Sequence, residues 1–374
     1  PRFAPNDIIR LREDAVHAVT DGLTSNDEAL GEAVFDAVLY EGHPYAHPRR
    51  GRAGVLPTLG DTQVRAFYDA HYVRENMVVG LAGAATADLR DRLAGRLEEL
   101  PSRPRPDRVD MKPAPVEPGS LTIVQTPTDV TGFHIGHPIA TDRNHPDWPA
   151  LYVAMTAFGA HRQSFGRLFT AIRADRGLNY GDYAYVESYV QQGWTPAPET
   201  GVLRRHNHFV MWLRPTSLPN GPFAAKMARS ELQRLLASGL EDAELDEVRS
   251  YLKGAIPLLA TNPGRRLSYA LDAEISGTPN LLEHIPAHLD ALTNDDIRAA
   301  LSAHLDPDKV VIVAVSGDAE DLKARLLGDE PTPVVYADVA PSEAQAERDA
   351  EVAALGMGLD PTRVVILEAD GVFR

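Results

Sequence analysis

The chain has thirteen histidines and no cysteine, so any metal chemistry would rest on imidazoles and carboxylates rather than thiolates. His284-Ile-Pro-Ala-His288 sets two imidazoles one helical turn apart, which is the spacing of a ligand pair. Pro286 lies between them and no motif glutamate accompanies them, so a surface pair is the favoured reading. His206 and His208 fall on one face of a strand just after Arg204-Arg205. They read as a polar cavity wall or as a solvated strand end. His43 and His47 flank a Pro-Tyr turn, and His71 and His304 recur in a repeat described below. No Gly-x-Gly-x-x-Gly or Walker pattern follows a strand, and Gly-x-Ser-x-Gly is absent. Nucleotide binding and a serine-hydrolase elbow are therefore without support.

The elements that must position such residues follow from the rest of the chain. Of 374 residues, 44% are hydrophobic and 24% charged, an ordinary globular balance with enough apolar surface for a sizeable core. The net charge of −16 argues against general binding to nucleic acid or anionic membrane, since both need a positive field. Absence of cysteine fits a reducing compartment, and a cytoplasmic location is the expectation. The chain opens at Pro1 directly into a helical pattern, so its natural start is expected upstream.

Leu56–Leu93 aligns without gaps with Leu289–Leu326, 233 positions later. Identical pairs include Leu59 with Leu292, Arg65 with Arg298, His71 with His304, and Val78 with Val311. Each copy reads as a capped amphipathic helix ending near the shared histidine, then an apolar strand (Met77–Ala82 or Val310–Val315), then a second helix. A residue repeated in both copies, as these histidines are, reads as structural, a cation at a helix C-terminus. Residues 101–118 carry six prolines and read as a stiff linker. Strands are expected over 120–125, 130–136, 206–214 and 362–367. Helices are expected over 5–20, 27–40, 147–160, 164–175, 221–238, 241–253 and 264–275, with a charged helix or covering arm over 341–352. The expected organisation is the closing part of a first domain (1–100), the linker (101–118), a second domain (119–330) and a tail (331–374). The fold class is α+β, with two homologous mixed α/β domains of which the first is incomplete at its N-terminus.

Three passages carry a resemblance. They are Leu39-Tyr40-Glu41-Gly42-His43-Pro44-Tyr45 with Gly51, Phe67-Tyr68-x-x-His71-Tyr72-x-x-x-Asn76, and Gly166-Arg167-Leu168-Phe169 running through Ile172-Arg173 to Arg176-Gly177-Leu178-Asn179-Tyr180. Together and in this order they resemble the insulinase (pitrilysin) metallopeptidase family, which includes mitochondrial-processing-peptidase-like proteins. The resemblance implies a clamshell of two homologous domains around a peptide-binding cavity. It also implies a zinc site built on H-x-x-E-H plus a distal Glu, in which the motif Glu activates water. No H-x-x-E-H occurs in these residues, and the distal-Glu position falls near Ala18-Val19, with Glu13, Asp21 and Glu28 nearby. Zinc as cofactor therefore enters only if a preceding segment supplies ligands.

The resemblance further implies that Arg173 and Tyr180 are the substrate-binding pair of the second domain. A guanidinium and a phenol both donate hydrogen bonds to a peptide carbonyl. The following Gly181-Asp182-Tyr183 resembles a bacterial subgroup that often lacks the zinc motif. The leading expectation is a non-catalytic or degenerate family member that binds extended peptide or unfolded polypeptide between two domains. It would act alone or as a homo- or heterodimer with another family subunit. The alternatives are an active zinc metallopeptidase with its motif upstream of Pro1, and a structural or assembly subunit.

Overall fold

The computed structural model describes residues 1–107, 110–190, 198–337 and 340–373. Positions 108–109 of the expected linker, and 338–339 and 374 of the expected tail, lie outside the described residues. In chain order the elements are α1 (Pro5–Thr24), α2 (Asp27–Leu39), α3 (Asp61–His71), α4 (Ala87–Glu98), β1 (Leu121–Gln125), β2 (Val130–Ile139) and α5 (Trp148–Gly159). A π-helical turn, Phe169–Ala174, precedes β3 (Asp182–Tyr185) and β4 (Asn207–Ser217). Then come α6 (Gly221–Ser238), α7 (Asp242–Leu259), α8 (Pro263–Ser276), α9 (Leu281–Leu289) and α10 (Asn294–His304). The last are β5 (Val311–Ser316), α11 (Ala319–Leu327), α12 (Glu343–Ala353) and β6 (Val364–Glu368).

The mixed α/β class is as expected. The six strands among the described residues form one mixed sheet in the order β3-β4-β2-β5-β1-β6. β1 runs parallel to both β5 and β6, while β2 is antiparallel to β4 and β5. β5 is buried at every position, because a central strand covered on both faces needs apolar residues throughout. Its alternation still sorts them. Val311, Val313 and Val315 join the cluster formed with Leu30, Val34, Phe35 and Leu39 of α2, whereas Ile312 and Ala314 join the larger core built with α5 to α12. The sheet is thus the middle layer, with α2 packed on one face and the helical majority on the other. α2 is started by Asn26, whose side chain accepts from the Ala29 N–H at 3.0 Å. It can sit close to the sheet because Gly31 faces His134 of β2, where a Cβ would come within 2.8 Å of the ring.

The second repeat copy folds as read, into α10, β5 and α11. The first copy does not. α3 and α4 form but bury no residue, and Met77–Ala82 makes no strand. Met77, Val78, Val79 and Leu81 are instead 41–49% exposed. The physical reason is pairing: a strand is held by its neighbours' hydrogen bonds, and β5 has β1 and β2 on its flanks. No strand among the described residues lies beside 77–82. The helix expected over 164–175 is also corrected. It is helical only over 167–174, and within that span Phe169–Ala174 winds as a π-helix. The tail does act as an arm: α12 is pinned by Lys226 Nζ donating to the Ala353 carbonyl at 2.9 Å and by Asp349 paired with Arg176. No helix among the described residues is long and apolar enough to cross a membrane.

Candidate functional site

The segment from Phe169 to Tyr183 is where structure and sequence reading meet. In the π-helical turn the Asp175 N–H donates to the Thr170 carbonyl at 3.0 Å, five residues back. Gly177 closes the turn at φ +66°, a left-handed conformation that favours glycine, and its N–H donates to the Arg173 carbonyl at 2.7 Å. The chain then doubles back, bringing position 180 within reach of position 173.

Nearly every polar side chain in this stretch is consumed in holding that shape. Buried Arg176 clamps Asp349 with Nε at 2.8 Å and Nη2 at 2.6 Å, and also donates to the Ala171 carbonyl. Asn179 Nδ2 donates to Asp182 Oδ1 at 2.6 Å and to the Arg214 carbonyl at 3.1 Å, while its own Oδ1 accepts from the Gly181 N–H. Asp182 is fully enclosed, and burial pushes its carboxyl up to about 8, against the opposing pull of Asn179, Arg214 and Arg173. Its Oδ1, accepting from Asn179, ties the start of β3 to the turn.

Arg173 and Tyr180 are the exceptions. The structure brings them together: Arg173 Nη1 donates to the Tyr180 carbonyl at 2.7 Å, and its guanidinium lies over the Phe169 ring at 5.0 Å and the Tyr180 ring at 5.6 Å. Tyr180 is 74% exposed, and its hydroxyl has no partner among the described residues. The remaining guanidinium N–H groups and the phenol thus form a small, pre-positioned set of hydrogen-bond donors at the surface.

Beside this segment, between α2 and the sheet, lies a cavity of about 220 Å³ lined by Glu28, Glu32 and Asp36 of α2, with His134, Tyr185, Arg204, His208 and Trp212. Glu28 pairs with Arg214 at 2.6 Å and Asp36 with Arg204 at 2.5 Å. Glu32 lies between them with no ion-pair partner among the described residues. Burial, reinforced by the Asp36 charge, pushes it up to about 7. Burial also drives His134 down to about 3 and His208 down to about 4, so both are neutral imidazoles. His161 Nδ1 meets the Tyr185 hydroxyl at 2.7 Å, and Tyr185 stacks on Tyr189 at 4.2 Å. The cavity can hold a proton near neutral pH and offers hydrogen-bond partners in an enclosed setting.

The sequence left His208 open between a cavity wall and a solvated strand end, and the structure places it in the cavity wall; Glu32 and Asp36 went unread. The signal was present: Glu28, Glu32 and Asp36 recur every fourth residue, on one face of α2. Among the other histidines, His206 lies 3.4 Å from Asp110, and buried His43 contacts the Met111 carbonyl with Nε2 at 3.0 Å. His284 and His288 adjoin on α9 at 4.7 Å between rings, but His284 stacks on Trp148 and no carboxylate joins them among the described residues.

The sequence profile described as Peptidase M16 inactive domain matches residues 59–252. An uncharacterized zinc protease of Mycobacterium leprae (strain TN) is 26% identical over 312 residues, covering 80% of this chain and 64% of that protein. One from Streptomyces coelicolor is 24% identical over 326 residues, covering 83% and 66%. The chain thus spans just under two thirds of the length of these curated relatives. Among solved structures, a peptidase M16 inactive domain from Pseudomonas fluorescens superposes with a TM-score of 0.72 at 24% identity, covering 85% of this chain and 72% of that one. A chain of complex III2 from Candida albicans with Inz-5 bound gives 0.64 at 15% identity, covering 94% and 78%. At these identities the likeness is one of fold.

Proposed function

The chain belongs to the peptidase M16 family, and from that premise we propose that it is a non-catalytic, peptide-holding member. Extended peptide is bound between two domains, and Arg173 and Tyr180 are its substrate-binding residues. One observation supports this reading above the others. In the segment from Phe169 to Tyr183 the buried Arg, the Asn and the Asp are all spent on structure, while Arg173 and Tyr180 alone are held together with donors to spare. A guanidinium N–H and a phenol O–H at one exposed point suit successive carbonyls of an extended strand.

The residues present do not fit the family's catalytic zinc. H-x-x-E-H is absent from the sequence. Near the distal-Glu position, Val19 is buried, Asp21 is engaged by His17, and Glu28 is paired with Arg214. No chemical step is therefore derived through that metal. What these residues can do is bind and orient. Arg173 fixes a peptide carbonyl, Tyr180 caps a neighbouring one, and the Asn179–Asp182 hydrogen bond keeps the carrying segment in place.

The test is titration of fluorescent extended peptides into wild type, Arg173→Ala and Tyr180→Phe. Arg173→Ala, losing a charge-assisted hydrogen bond, weakens binding by about tenfold or more, and Tyr180→Phe, losing a neutral one, by roughly threefold to tenfold, both with an unchanged melting temperature. Equal affinity in all three refutes the assignment. The competing enzyme reading requires stoichiometric zinc and chelator-sensitive cleavage by a protein carrying H-x-x-E-H upstream of Pro1. That result would displace the non-catalytic reading.

A further inference from the structure

We propose that His145, Asp147 and His304 form a binding site for a divalent transition-metal ion of the zinc type, separate from the Arg173–Tyr180 segment. Among the described residues this is the one group of three histidine or carboxylate side chains whose ligand atoms all lie within 4.8 Å of one another. It joins two distant parts of the chain. His145 and Asp147 stand in the turn between β2 and α5, and His304 is the last residue of α10.

The geometry is close to what coordination needs. His304 Nε2 lies 2.8 Å and His145 Nδ1 3.8 Å from the same Asp147 oxygen, with the two rings nearly perpendicular at 85°. Tetrahedral zinc, with bonds of about 2.0–2.2 Å, separates its ligand atoms by roughly 3.3–3.5 Å. Side-chain shifts of about 1 Å meet that requirement from both directions. Loading exchanges a 3.2 Å contact, in which His145 Nδ1 accepts from the Asp147 N–H, for a coordinate bond. The side chains are 34%, 40% and 13% exposed, so an ion can arrive from solvent and keep water in the fourth position. Two imidazoles and a carboxylate select zinc and its neighbours over calcium or magnesium, which favour all-oxygen sites.

A shared structural role does not account for this arrangement. His71, the counterpart of His304 in the first repeat copy, stacks on Phe67 at 4.3 Å and joins no such group among the described residues. Only the second copy has acquired a carboxylate and a second imidazole around the common histidine. A bound ion would tie the turn before α5 to the end of α10, two helices already packed together.

Chelator-stripped protein is titrated with Co²⁺ and followed by visible absorption, then back-titrated with Zn²⁺. One equivalent of four- or five-coordinate Co²⁺ is expected, displaced by Zn²⁺. Zinc at about a hundredfold above Kd should also raise the melting temperature by roughly 3 °C for a chain of this size. His145→Ala and His304→Ala should each weaken binding at least about tenfold, while a His284→Ala/His288→Ala variant keeps it. His145 makes only light structural contacts, so its variant carries the test if His304→Ala fails to fold. Absence of stoichiometric Co²⁺ in wild type, full affinity in His145→Ala, or loss of the signal only in the α9 variant would each overturn the site. None of these results bears on peptide binding by Arg173 and Tyr180.

Discussion

Replacing Glu32 by Gln should change how stability depends on pH, because Glu32 is the middle one of the three α2 carboxyls that line the cavity and has no ion-pair partner among the described residues. The unfolded chain releases this proton near the ordinary value of 4.5, whereas the folded chain holds it to about 7. Between those limits the folded state binds more protons than the unfolded one. Stability contributed by this group is therefore lost as pH rises from about 4.5 to about 7, and the curve flattens above that. At 1.36 kcal/mol per pH unit the gap amounts to about 3 kcal/mol, and residual solvent contact in the cavity reduces it to about 1–3 kcal/mol. His134 and His208, lowered by burial, act oppositely, since they cost stability as pH falls below 6.5. Their effect is common to both proteins and cancels to first order in the comparison. Urea unfolding of wild type and Glu32→Gln at several pH values from 4.5 to 8 measures the difference. Glu32→Gln should gain about 1–3 kcal/mol on wild type across that range. Parallel profiles would refute the argument that burial between two ion pairs keeps Glu32 protonated.

Other substitutions test the scaffold. Asp349→Ala leaves the Arg176 guanidinium buried without its carboxylate and should cost about 3–5 kcal/mol in urea unfolding, whereas Arg176→Met combined with Asp349→Leu should recover most of that loss. Gly31→Ala drives a methyl group against the His134 ring and should lower stability by about 1–3 kcal/mol, read as a fall in melting temperature. Val79→Lys, at an exposed apolar position of the unpaired 77–82 segment, should leave stability within about 0.5 kcal/mol and reduce self-association in light scattering at high concentration.

How far the sequence reached depended on whether the governing signal was local. The helix over 27–40, the capped helix of the second repeat copy and the continuous apolar run of β5 are read within a few residues, and all three formed. Met77–Ala82 has the same local pattern as β5 but no strand beside it, so propensity alone did not make a strand. The proximity of Arg173 to Tyr180 follows from the turn between them and was legible through motif resemblance; their role as a binding pair remains the proposal above. The cavity was harder to foresee. Its carboxylates belong to α2 and its imidazoles and arginines to β2, β4 and the approach to β4, more than 90 positions away. Only the docking of α2 on the sheet turns Glu32 from a surface acid into a proton holder.

The π-helical turn at Phe169–Ala174 makes the Arg173–Tyr180 pairing a matter of reading length as well as residue identity. An α-helix turns about 100° per residue. Deleting one residue from that turn would restore a regular helix and swing everything on one side of it by about that angle, parting the guanidinium from the Tyr180 carbonyl while both residues stayed in the sequence. A single three-base deletion could then switch the pair off where no point substitution had touched it. A relative that retains both residues but lacks the extra one would be a look-alike in alignment and a different surface in space.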